Sequence, residues 1–478
     1  MKVLALVTLV TILCASFAAP QEDLVNNTQL TGAFSQYQFP IYSGYLKVND
    51  TKYHHYIFFP SQNNPTTDPV LLWLNGGPGC SSMLGFLYEH GPYYFPDNST
   101  TLLPNPYSWN LNASVIYMES PAVVGYSYAG GNYAYDDNST AADNLAAMLD
   151  WFSKFPEYKN NEFYISGESY AGVYVPTLAY KIDRYNVNAP SGTAINLKGF
   201  AVGNALTDFR FDVDMADMDF YWNHDMYSPP LRQEYEANCG GVVNPANPAC
   251  NATLNKVYNI TQNLILNIYD IFRPCYYMVN GTDAVKKGAS FDYLRFKRLI
   301  KNNIVPDRGN TPGAPKCVDS NGSYIWLNDP QNVAALHIRN PVTGEALNKT
   351  WYMCVMDDAE LNYTPGQNAS YWVYQLLVNK GYKIMVYSGN TDASVPTIGT
   401  KRWLEQLRKD QGLAMLKEWT KFYLPGEISP LPQLAGYYQI IQGGITFVQV
   451  NGVGHMVPQW QRPAGKKILD NLLQGVPF

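Results

Sequence analysis

One short segment limits what this chain can fold into more than any other. The apolar run Phe163-Tyr164-Ile165 leads into Gly167-Glu168-Ser169-Tyr170-Ala171-Gly172. This reads as a β-strand ending in a sharp turn, with a serine at the tip and a helix after it. Such a turn leaves room only for small residues two positions either side of the serine. Gly167 and Ala171 supply them, Ala171 departing from the strict G-x-S-x-G pattern.

Two later segments give the serine partners. Lys383-Ile384-Met385-Val386-Tyr387 is strand-like and runs into Ser388-Gly389-Asn390-Thr391-Asp392, which puts an aspartate just past a strand end. Ile445 to Val450 is a further strand, followed by the glycine-rich loop Asn451-Gly452-Val453-Gly454-His455-Met456. Ser169, Asp392 and His455 therefore occur in the chain order of an α/β-hydrolase triad. Upstream, Val70-Leu71-Leu72-Trp73-Leu74 enters Asn75-Gly76-Gly77-Pro78-Gly79-Cys80-Ser81-Ser82. Glycines there let backbone N–H groups approach a developing oxyanion. An ordinary Gly/Pro turn reads the same way in isolation.

Strand-like runs recur through the first 200 residues, at His55–Phe59, Val70–Leu74, Ser114–Met118, Phe163–Ile165 and Leu197–Val202. A helical pattern from Ala141 to Phe155 carries Leu145, Met148, Leu149 and Phe152 on one face, with Ser139, Thr140 and Asp143 as start signals. Strands alternating with helices predict an α/β fold of the α/β-hydrolase type, with a doubly wound, mostly parallel central sheet. Residues 208–329 change character, with helix-like patterns, four cysteines and no clear strand. They read as a largely helical cap inserted into a core formed by residues 19–207 and 330–478. Within the cap, residues 302–316 are rich in Pro, Gly and Asn and form a plausible protease-sensitive loop.

Composition places the chain in the secretory pathway. Residues 1–18 pair a basic start with an apolar run and end in Ser16-Phe17-Ala18, the pattern of a cleaved signal peptide. No other apolar stretch reaches the roughly 18 residues that a membrane span needs. Of seven cysteines, Cys14 leaves with that peptide. The remaining six suggest three disulfides, and spacing alone does not choose the pairing. No C-x-x-C pair with histidines suggests a metal. N-x-[ST] sequons begin at Asn26, Asn49, Asn98, Asn112, Asn138, Asn251, Asn259, Asn280, Asn321, Asn348, Asn362 and Asn368. The net charge is −6, with scattered lysines and no basic run, which leaves no footprint for nucleic acid.

WLNGGPGCSS, GESYAG, YSGNTDASVP and GHMVP, in this order, resemble the serine carboxypeptidases, with cathepsin-A-like members among the closer ones. The resemblance runs from about Tyr37 to the C-terminus. Asn390 stands where many relatives carry Asp, beside the position of the catalytic acid. The resemblance implies a catalytic triad of Ser169, Asp392 and His455, with oxyanion donors from the backbone of Gly77 and Tyr170. It implies a reader of the substrate's free carboxylate built from Asn75, Glu168 and Glu89, with Trp73 in the same wall. Two adjacent carboxyls cannot both ionise cheaply, so a shared proton would make the pair a donor at acidic pH. Met456 matches a position lining the pocket of the leaving residue, which points to hydrophobic C-terminal residues. The pairing implied is Cys80–Cys354, Cys239–Cys250 and Cys275–Cys317. Peptides with a free C-terminus, no cofactor, a lysosomal or secreted location and room for a homodimer follow from the same resemblance.

Two other functions compete with the carboxypeptidase reading. One is an acyltransferase on the same scaffold, whose members tend to alter the carboxylate-reading residues. The other is a protective partner of other lysosomal enzymes.

Overall fold

The computed structural model describes residues 19–240, 247–262, 266–275, 314–315, 317–355, 361–425, 431–476 and 478. Residues 1–18, expected to be a signal peptide, most of the 302–316 loop and Asn280 lie outside the described residues. The centre of the molecule is a single large sheet. Its main strands are β1 (Tyr42–Lys47), β2 (Lys52–Phe59), β3 (Val70–Leu74), β4 (Ser114–Met118), β5 (Phe163–Glu168), β6 (Leu197–Gly203), β7 (Lys383–Gly389), β8 (Met415–Leu424), β9 (Gln433–Ile441) and β10 (Ile445–Val450). Their order across the sheet is β1-β2-β4-β3-β5-β6-β7-β10-β9-β8. From β4 to β10 the neighbours are parallel. The flanks β1-β2-β4 and β10-β9-β8 are antiparallel. This is the α/β-hydrolase fold.

The parallel strands are buried on both faces, which is why their sequences are unbroken apolar runs. Alternate residues of one strand enter different cores. Leu72 and Leu74 join one apolar cluster with Met148 and Trp151, and Leu71 and Trp73 join another with Ile468 and Leu472. The first cluster holds helices α1 (Asp137–Lys154) and α2 (Ala171–Val187) against the sheet. It continues into Met218, Phe220, Tyr235 and Leu254, carried by α3 (Met215–Asn223), α4 (Pro229–Cys239) and α5 (Pro248–Gln262).

The first helix starts earlier than its apolar pattern suggests. Asp136 is the N-cap: its side chain accepts from Ser139 N at 2.6 Å, and Ser139 Oγ accepts from Asp136 N at 2.9 Å. This reciprocal cap satisfies two otherwise orphaned donors. Asp143, expected as a start signal, lies inside the helix and pairs with Lys52. Strands β1, β8 and β9 have no counterpart among the expected runs. Three disulfides, Cys80–Cys354, Cys239–Cys250 and Cys275–Cys317, cross-link the chain. No helix among the described residues is long and apolar enough to cross a membrane.

Candidate active site

Ser169 lies between β5 and α2 with φ +64°, in the left-handed region that non-glycine residues avoid. Such a conformation costs on the order of 1–3 kcal/mol and needs support from its surroundings. The support is local. Ser169 N donates to Gly203 O at 3.0 Å, and Ser169 O accepts from Leu206 N at 3.0 Å and Gly172 N at 2.9 Å. Gly167 admits no side chain, because a Cβ there would sit 2.3 Å from Leu74 O and 2.7 Å from the Ala171 Cβ. At Gly172 it would sit 2.4 Å from Leu206 O. The tight approach thus falls on Gly172, which explains why Ala171 is tolerated.

Asp392 follows β7 and His455 follows β10, and the two strands are sheet neighbours. His455 Nδ1 lies 2.7 Å from Asp392 Oδ2, both residues buried. With that nitrogen donating, Nε2 is left as the acceptor. The Asp392 carboxylate also accepts from Asn204 Nδ2 at 2.9 Å, Ser394 N at 2.8 Å and Val395 N at 3.2 Å. Asn204, one residue past β6, is absent from the sequence-derived site. The other hydrogen bonds of its side chain are with Gly389, whose N–H it accepts at 2.9 Å and whose carbonyl it donates to at 3.2 Å.

The loop after β3 lies against the serine turn. A Cβ at Gly76 would fall 2.4 Å from Tyr170 N and 2.8 Å from Ser169 Cβ, so only glycine allows this contact. The next residue, Gly77, has φ +114°. The far end of the loop is anchored to the end of β4. Ser82 Oγ donates to Met118 O at 2.6 Å, and Ser81 Oγ donates to Glu119. Glu119, fully buried, also accepts from Trp351 Nε1 at 2.9 Å and Tyr126 N at 2.7 Å, and pairs with His55 at 2.8 Å. Burial alone would raise its carboxyl, but hydrogen bonds from His55 and Ser81 and the His55 charge outweigh that and lower it.

Asn75, Glu89, Glu168 and Trp73 form a second cluster. Asn75 Oδ1 accepts from Trp73 Nε1 at 2.7 Å and Gly85 N at 3.1 Å. Its carbonyl is thereby committed, and its NH₂ group faces the carboxyls. It donates to Glu168 Oε1 at 3.0 Å and to Glu89 Oε1 at 3.3 Å. Glu89 Oε2 and Glu168 Oε2 are buried and receive no donor. Two buried carboxyls gathered on one amide cannot both ionise cheaply, so the pair holds on to protons. Burial, partly offset by the Asn75 hydrogen bond, pushes Glu89 up to about 7. Burial, and then the charge of Glu89, hold Glu168 well above the usual carboxylate range. Asp392 and His455 act electrostatically on this pair, so the two clusters form one site.

Met456 is buried at the start of Val457–Trp460, in the apolar cluster on the Leu71 face of the sheet. Among the sequons, Asn26, Asn49, Asn98, Asn138, Asn259, Asn321, Asn348, Asn362 and Asn368 are exposed, while Asn112 and Asn251 are half-buried. Asn112 Nδ2, the atom a glycan would occupy, donates to Asp470 at 2.9 Å.

Comparison with known proteins identifies the family. The serine carboxypeptidase family model matches residues 32–475. The lysosomal protective protein of Mus musculus is 34% identical over 476 residues, covering 96% of this chain and 95% of its own. Serine carboxypeptidase-like 20 of Arabidopsis thaliana is 33% identical over 508 residues, covering 99% and 98%. Among solved structures, a prohormone-processing carboxypeptidase of Saccharomyces cerevisiae superimposes with TM-score 0.71 at 19% identity, covering 95% of this chain and 96% of that one. With this family's model spanning nearly all of it, the chain belongs to the serine carboxypeptidase family and is a serine-type carboxypeptidase.

Proposed function

We propose that this enzyme removes C-terminal residues, hydrophobic ones by preference, from peptides and proteins at acidic pH through an acyl-enzyme. The observation that carries this reading is the donor-poor carboxyl pair directly beside the serine, with the Asn75 amide turned toward Glu89 and Glu168 and one oxygen of each carboxyl buried without a donor. A generic hydrolase has no use for a buried acid there. A reader of a terminal carboxylate does, because a protonated carboxyl and an amide N–H both donate to an anion.

In the reaction, Ser169 Oγ attacks the carbonyl carbon of the last peptide bond and His455 Nε2 takes its proton. Backbone N–H groups of Gly77 and Tyr170 stabilise the resulting oxyanion, a contribution worth on the order of 10²–10³ in rate per donor. His455 then gives the proton to the departing amine, the C–N bond breaks and the free amino acid leaves. Water repeats the sequence on the ester and restores Ser169. Asp392 holds the imidazole in the required tautomer, and Trp73 walls the carboxylate site.

Met456 favours an apolar leaving residue. The stretch 208–329 serves as a cap over the core. The three disulfides, the exposed sequons and the lysosomal relative support passage through the secretory pathway to a lysosomal or secreted destination. Asn75, Glu89 and Glu168 intact together favour hydrolysis over acyl transfer. The test is release of a free C-terminal amino acid from an N-blocked dipeptide at acidic pH. Wild type should release it, and Ser169→Ala should lose about 10⁴-fold or more while keeping the fold. Release undiminished in Ser169→Ala, or acyl transfer to an alcohol in place of release, would overturn the proposal.

A further inference from the structure

Residues 267–273 come from the stretch between α5 and Cys275, distant in sequence from every triad member, yet they lie across both catalytic loops. Ala393 N donates to Ile268 O at 2.8 Å, and Ile271 N donates to Thr391 O at 3.1 Å. These two bonds grip the loop that carries Asp392. On the other loop, His455 N donates to Tyr269 O at 2.7 Å, and the rings of Tyr269 and His455 lie 5.2 Å apart. Asp270 touches both. Its Oδ1 accepts from Thr391 Oγ1 at 2.8 Å, and its Oδ2 accepts from Gly454 N at 3.2 Å. Thr391 immediately precedes Asp392, and Gly454 immediately precedes His455. One buried carboxyl therefore spans the residues next to the acid and the base of the triad.

The sequence around His455 is shaped by this contact. A Cβ at Gly454 would lie 1.9 Å from Tyr269 O and 2.6 Å from the Asp270 Cβ, so the glycine preceding the histidine is required by the segment packed on it. We propose that Asp270 is a positioning residue: it ties the Asp392 loop to the His455 loop and fixes the approach of carboxylate to imidazole. The loops also meet directly: Thr391 N donates to Val453 O at 3.0 Å, Gly452 N donates to Asn390 Oδ1 at 2.8 Å and Asn390 Nδ2 donates to Asn451 Oδ1 at 3.3 Å. All three lie further from His455 than the Gly454 contact and leave the approach of the imidazole to the other bonds. Displacements of about 1 Å at reacting groups can cost of order 10²-fold in rate.

The proposal rests on Ser169, His455 and Asp392 doing the chemistry, and its test separates the two claims. Full-length wild type, Asp270→Ala, Asp270→Asn and Thr391→Val are compared in two measurements. One is the rate and final stoichiometry of fluorophosphonate labelling at Ser169. The other is kcat and KM on an N-blocked dipeptide. Asp270→Ala should label to full stoichiometry but about 10- to 100-fold more slowly, with kcat falling in parallel and KM unchanged. Asp270→Asn should recover part of the loss, since its amide oxygen still accepts from one of the two loops. Thr391→Val, which removes one arm, should fall by less than Asp270→Ala. Wild-type labelling rate and kcat in folded Asp270→Ala would overturn the positioning role and leave the triad intact. If Asp270→Ala does not fold, unchanged kcat in Thr391→Val has the same consequence. Failure of wild type to label would instead overturn the assignment of Ser169.

Discussion

Two buried carboxyl sites flank Ser169, the proposed nucleophile, and they are built in opposite ways. Asp392 is surrounded by donors: His455 Nδ1, Asn204 Nδ2 and the backbone N–H groups of Ser394 and Val395 all point at it. Glu89 and Glu168 share a single amide and leave one oxygen each without a donor. Desolvation penalises both sites alike, so the count of donors decides how each is used. In the proposed mechanism the donor-rich acid serves as a fixed acceptor that orients an imidazole. The donor-poor pair there retains a proton and becomes a donor itself. One protein thus draws contrary chemistry from the same functional group by rationing N–H groups.

The harshest way to break this comparison is to turn the donor-rich acid into an amide. Asp392→Asn should lower kcat by about 10⁴-fold, because an NH₂ group in that place opposes the His455 N–H and favours the wrong tautomer. Near-normal turnover in the purified variant would show that the carboxylate is not the orienting group.

Removing only one donor should do less. Asn204→Leu deprives Asp392 of a hydrogen bond of the charged kind, worth about 1.5–3 kcal/mol, and should lower kcat roughly 10- to 100-fold with little change in KM. A rise in KM with kcat unchanged would place Asn204 in substrate binding instead.

The donor-poor side is tested by pH. kcat/KM for a blocked dipeptide should fall as pH rises past about 7 and the Glu89–Glu168 pair loses protons beside the bound carboxylate. The corresponding C-terminal amide should not share the fall, and Glu168→Gln should keep peptidase activity to higher pH. Matching profiles for acid and amide in wild type would refute a carboxylate reader. Stability should follow the same proton. The pair's carboxyls are raised in the folded state, so the stabilisation they give is complete below the unfolded value of 4.5 and is lost as pH climbs through about 7. The loss should be smaller in Glu168→Gln, as read from denaturant melts at pH 5 and 8.

The mildest test uses a third buried carboxyl. Asp137 accepts from the hydroxyls of Tyr170 and Tyr363, each at 2.8 Å, and from Gly366 N at 2.8 Å. Tyr170→Phe deletes one of these donors and keeps the backbone N–H proposed to stabilise the oxyanion. It should cost about 1 kcal/mol in stability and change kcat only a few-fold. A hundredfold loss would mean that the ring, rather than the backbone, contributes to the reaction.

What the sequence displayed of all this follows a pattern. The strands of the parallel centre are legible because both of their faces are buried, which makes unbroken apolar runs. Strands β8 and β9 are not: β8 exposes Leu416, Trp419 and Tyr423 and its pairing slips register, so no period-two signal survives. Ser169, Asp392 and His455 are legible because each sits in a turn that demands glycine nearby. Asn204 and Asp270 carry no such mark. Their importance comes from sheet order, which sets β6 beside β7, and from a segment folded back over 120 residues of chain to reach Thr391. The early start of α1 was hidden for a simpler reason, since its first turn, Asp137-Asn138-Ser139-Thr140, has no apolar residue for a periodicity search to find.

The left-handed backbone of Ser169 has a consequence for descent as well as for catalysis. A residue other than glycine is strained at φ +64°, and the proposed nucleophilic role gives a reason for a side chain to be kept there. Ser169→Gly should therefore unfold at a higher temperature than Ser169→Ala, although it removes more atoms. A lineage that no longer needed the reaction would be drawn to glycine at this position by stability alone. Where a homologue retains serine on this turn, the strain it tolerates is a physical record that selection for turnover has not lapsed.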